Sequence, residues 1–182
     1  MEKQSVQQKI EKLAQEILDL SRSTLLMNLR FLDAAIYDLR PIPIPQGTLY
    51  TDGQFLFYDP LFLLHCYKDE QESVARSYLH MILHCIFHHA FVGELMQKQY
   101  WDLACDIAVE NTINELMIPA VNTRDREKQE ELIAPLREQV NKITAEKLYR
   151  YFSESKLSDK EVEELRAVFI ADDHERWYLR RK

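Results

Sequence analysis

The sequence predicts a predominantly helical α+β fold with one small sheet, and three observations carry that prediction. Only three glycines and six prolines punctuate 182 residues, too few for the many sharp turns of an all-β chain. Apolar residues recur at helical spacing along most of the chain. The exception is one stretch, "RPIPIPQG" followed by "TLYTDGQFLFYD", where the period changes from helical to alternating. The length suits a single domain over residues 1–182 with a sizeable core. No internal repeat, low-complexity linker or composition break divides it.

Val6, Ile10, Leu13, Ile17 and Leu20 are spaced by four and three residues, a helical stripe. After "SRS" a second helical segment, "TLLMNLRFLDAAIYDL", predicts a helical hairpin over about residues 5–39. The prolines that follow remove backbone donors and push their predecessors extended. Asp52-Gly53 then joins two alternating runs as a hairpin, which places a small sheet at about residues 41–58. Asp59 caps a helix that begins with Pro60. Asp69 with Glu72 predicts the next helix start, running to about Phe91. A further helix is expected at about Trp101–Leu116, closed by Pro119 and "AVNTRDR". Three more cover about Arg126–Gln139, Thr144–Phe152 and Ser158–Phe169, the last with a capping box from Ser158 to Glu161.

Composition excludes several function classes. A net charge of −7 argues against nucleic-acid binding, which needs a basic stripe. No run approaches the apolar length of a membrane span, and the amphipathic first twenty residues do not read as a signal peptide. Cys66, Cys85 and Cys105 are an odd count without a CxxC, so the expectation is a reduced, cytoplasmic protein. Cys85 and Cys105 read as small buried hydrophobes.

The chemistry concentrates in "YLHMILHCIFHHAF", which holds four of the six histidines. His80 and His84 lie one helical turn apart, with Cβ atoms about 6 Å from each other. That spacing lets two imidazoles bind one zinc ion. His88 continues the stripe and His89 adjoins it. The neighbouring Leu79, Ile82, Leu83, Ile86 and Phe87 predict burial, and buried imidazoles need partners. In one zincin class a carboxylate from a later helix completes such a pair. "WDLACDIAVEN" puts Asp102, Asp106 and Glu110 on one helix face, with Asp106 among small apolar residues where a lone carboxylate would be costly.

These pieces together carry a resemblance. "LLMNLRFLDAAI", "YTDGQFLFYDP", "YLHMILHCIFHH", "WDLACDIAVEN" and "DDHERW" come in the order found in one family. The chain resembles the metallopeptidase-like N-terminal domain of bacterial proteins that end in a von Willebrand A-like domain. The resemblance spans about residues 20–177 and implies a zincin-like arrangement, with the hairpin beside the HxxxH helix and able to take an extended peptide along its edge. It implies zinc on His80 and His84, with Asp106 as third ligand and His89 at another recurrent histidine position. His174 and Trp177 fall in the family pattern without a role. An AAA-type ATPase is the working partner it suggests. The von Willebrand A-like domain does not follow within these residues, which implies a stand-alone version or a piece of a longer chain.

The departure from the family motif is Met81. The hydrolytic motif is His-Glu-x-x-His, whose Glu takes a proton from the attacking water and delivers it to the leaving amine. A thioether cannot do this, and losing a positioned base costs about 10²–10⁴-fold in rate. Three readings follow. One is a zinc-binding, zincin-like domain without ordinary hydrolysis, used for binding or assembly. The second is an active zinc-dependent hydrolase in which Glu110 serves as a displaced base. The third is a metal-free helical interaction module, whose N-terminal helix could pair with another chain.

Overall fold

The computed structural model describes residues 2–91, 96–155 and 157–178. The described residues form eight α-helices and a three-stranded sheet, the predominantly helical α+β class that the sequence predicts. None of these helices is long and apolar enough to cross a membrane. The chain groups into two compact units: residues up to Ala90 with Ile118–Thr123 and the segment from Asp172, and Phe91–Met117 with Arg124–Ala171.

In the first unit, α1 (Glu2–Asn28) is one continuous helix. The break expected at "SRS" does not occur. The Ser21 and Ser23 hydroxyls donate to the carbonyls of Ile17 (2.9 Å) and Asp19 (2.8 Å), so both serines are satisfied within the helix. The chain turns instead at Leu29, through a 3-10 turn (Arg30–Leu32) into the short α2 (Asp33–Asp38). α1 buries Ala14, Leu18 and Leu25 and packs against α3 (Pro60–Asp69) and α4 (Gln71–Ile86).

A polar cross-tie fixes these helices. Arg22 donates through Nε to the Tyr78 hydroxyl (2.7 Å) and through Nη2 to the Leu39 carbonyl (2.9 Å). The Tyr78 hydroxyl donates toward the carbonyls of Ile36 and Leu39, each at 3.0 Å. Tyr78→Phe removes this hub from a fully buried site and should cost about 1–3 kcal/mol. Urea unfolding checks it: the midpoint should fall while the slope stays the same.

The sheet has the order β1-β3-β2, with β1 (Arg40–Pro43) parallel and β2 (Leu49–Thr51) antiparallel to β3 (Phe55–Tyr58). Pro41 and Pro43 sit on an edge strand, where a missing donor is tolerated. The hairpin forms where Asp52-Gly53 predicts it, but with a three-residue loop. Asp52 Oδ1 accepts from the amides of Gln54 and Phe55 (both 2.9 Å), and Gly53 takes φ 87°. Asp59 caps α3 by accepting from Leu61 N (2.9 Å), ahead of Pro60.

The start of α4 differs from expectation. α3 absorbs Asp69, so the expected Asp69 cap does not form, and Glu70 in extended conformation (φ −154°) is the whole junction. α4 also stops at Ile86, well over a turn short of the predicted Phe91. His88 N donates to Cys85 O (3.2 Å) and His89 N to His84 O (3.1 Å), with His88 at φ 59°. This is a Schellman closure in which the position that favours glycine holds a histidine. His88 is exposed, so His88→Gly should stabilise the protein by about 0.5–1 kcal/mol, read as a higher Tm.

In the second unit, α5 (Lys98–Glu115) packs with α6 (Arg126–Val140), α7 (Ala145–Glu154) and α8 (Asp159–Phe169). The Ser158–Glu161 capping box at α8 forms as predicted. Small residues on α5, among them Ala104, Cys105 and Ala108, are buried. Two of its buried polar groups are bonded from α6: Gln129 Nε2 donates to Glu110 Oε2 (2.9 Å), and Arg137 Nη2 to Asn111 Oδ1 (2.8 Å).

Candidate metal centre

One turn of α4 brings His80 and His84 onto the same face, 0% and 1% exposed. Their Nε2 atoms lie 2.7 Å apart. Two imidazole lone pairs cannot face each other at that distance without a proton or a cation between them. The segment from Asp172 to the 3-10 turn Glu175–Tyr178 lies over this face. Asp172 Oδ1 is 3.6 Å from His80 Nε2 and 3.9 Å from His84 Nε2. His174 Nε2 lies 2.8 Å from the same carboxylate oxygen, close enough to orient it.

Around this pair the chain supplies support. The Schellman closure returns His89 beneath His84, Nδ1 to Nδ1 at 2.9 Å. If His84 presents its Nε2 lone pair to a cation, its Nδ1 carries the proton and donates to His89, which fixes the ring. Trp177 stacks edge-on to His84 (4.9 Å between ring centres) and lies 4.0 Å from His174. Its indole Nε1 donates to the Thr51 carbonyl at 3.0 Å. The small sheet therefore borders the histidine helix, as the order of elements along the chain predicts.

His80, His84 and Asp172, all in the first unit, each offer one ligand atom, and Asp106 on α5 of the second unit offers a further buried carboxylate. All four residues are buried. Imidazole nitrogens and carboxylate oxygens are the donor types that bind a divalent metal ion. Buried carboxylates are costly unless paired or bound to a metal, so the donor set fits a metal ion. Asp106 Oδ2 also accepts from Ala171 N at 3.2 Å.

The other sequence candidates fall elsewhere. His89 touches a ligand candidate rather than joining the four, and His88 is exposed. Glu110 is not among the four, and its Oε2 accepts from Gln129. Met81 is buried at 1% exposure. Cys85 lies 3.8 Å from Thr51 Oγ1, and burial pushes its thiol pKa up, which makes it a poor nucleophile. Asp172 is the residue that sequence reasoning missed. Its only signal was its place in "DDHERW", beside a histidine with no role.

No curated protein and no solved structure matches the chain. The family model described as "Putative metallopeptidase domain" matches residues 11–174, most of the chain's length, and the chain belongs to that family.

Proposed function

We propose that this domain holds one zinc ion on His80, His84, Asp106 and Asp172 and uses the scaffold to bind a peptide segment without cutting it. The observation that carries this reading is Met81, which stands at the position of the hydrolytic glutamate beside a full set of donors. When bound, zinc supplies a Lewis acid and ties four groups together. Everything else falls to the chain's own residues. Catalytic zinc sites keep three protein ligands and an open position, whereas structural sites use four. With Met81 in place, even a zinc ion with an open position would lack a base beside it. Met81 can neither accept nor release a proton, so no group next to His80 activates water. His89 and the Asp172–His174 pair orient donors. Trp177 occupies the Thr51 carbonyl at the end of β2 and ties the segment from Asp172 to the small sheet.

The test is a cleavage assay on a mixed peptide library with the zinc-loaded wild type, read by mass spectrometry. No cleavage above the protein-free control is expected. Chelator-sensitive cleavage that disappears in Glu110→Gln would contradict the reading and make Glu110 a displaced base.

A further inference from the structure

We propose that α1 pairs with the α1 of a second copy of this chain, antiparallel, along a ridge that its own fold leaves uncovered. The ridge is Val6, Leu13, Leu20 and Met27, each seven residues from the next. Their exposures are 54%, 49%, 53% and 79%, so this is not the face that packs on α3 and α4. Between them Ile10 and Thr24 are half-buried and Ile17 is buried, which completes alternating steps of four and three residues over nearly the whole helix. A single helix packed on a globular core needs only a 3.6-residue period. A strict seven-residue repeat keeps an apolar seam facing a second helix that winds with it. The seam therefore specifies a helical occupant.

Charge beside the ridge specifies a second copy in the antiparallel sense. The flank next to the seam carries Lys9 and, one heptad later, Glu16, both exposed. In an antiparallel pair centred near Leu13, Val6 of each copy meets the Leu20 end of the other. Lys9 of each copy then comes opposite Glu16 of the other, twice by symmetry. A parallel pair would instead set like residues at the same height. Within one chain Glu16 also meets Lys12 at 3.8 Å, an exposed pair of small worth that a partner's lysine can share. The proposal does not involve the metal donors and stands or falls apart from them.

Sedimentation velocity of the full chain should show a dimer forming as concentration rises to about 100 μM. Leu13→Glu with Leu20→Glu should weaken it by about 100-fold or more while circular dichroism and Tm stay near wild type. Lys9→Glu and Glu16→Lys should each weaken the dimer by about tenfold, and the two together should restore it. A monomer across the whole range overturns the proposal. So does a dimer indifferent to the Leu13 and Leu20 changes, or a double charge swap no better than the single ones. The charge variants lie on exposed positions, so the result holds even if the leucine variant folds poorly.

Discussion

His84→Ala should leave the protein without stoichiometric metal and strip out the stability that metal binding contributes. His84 sits in the middle of the centre, with Nε2 toward His80 and Asp172, Nδ1 on His89 and its ring against Trp177. A ligand present at a thousand times its dissociation constant stabilises the folded state by about 4 kcal/mol. That amount should vanish in the variant, together with the packing lost at a fully buried position. The diagnostic is the response to chelator. Wild type should lose many degrees of Tm on chelation, while His84→Ala should melt at one temperature with or without it. His88→Ala, on the exposed residue that closes α4, should keep the wild-type response. A His84→Ala protein that still holds one metal per chain would remove His84 from the donor set.

Met81→Glu should produce the second large effect, on stability and on chemistry at once. Met81 is 1% exposed, so the new carboxylate enters a site shaped for a thioether. Without a compensating partner that burial should cost several kcal/mol, among the larger penalties for a single substitution. The variant that folds regains a proton acceptor one residue from His80. A positioned base is worth about 10²–10⁴-fold in rate. Slow, chelator-sensitive peptide hydrolysis in Met81→Glu, absent from wild type, is the expected result. Folded, zinc-loaded Met81→Glu with no hydrolysis would show that four protein donors close the site whatever stands at position 81.

Much of this was legible in the sequence because it is local. The His80–His84 spacing, the Asp52-Gly53 turn, the Asp59-Pro60 start and the Ser158 capping box each depend on residues within a few positions of one another. Even the α1 stripe could be read, though not that half of it would be left outside the core. What failed was also local, but decided by competing bonds. The serines of "SRS" bond back to carbonyls four residues earlier, so α1 continues where turn-favouring residues suggested a stop. His88 accepts a positive φ that its residue type disfavours, so α4 ends early and His89 returns to His84. Asp172 was beyond reach for a different reason. It reaches the histidines by long-range packing, for which no helical or strand period leaves a trace.

The most direct test of the central claim is the metal content of tag-free protein refolded with zinc present and then freed of excess ion. About one zinc per chain is expected, as for a site with one set of four donors, with a Tm that falls on chelation. Protein that holds no metal after this treatment, and melts identically with and without chelator, would contradict the account. The buried histidines and carboxylates would then be a metal-free network in the core.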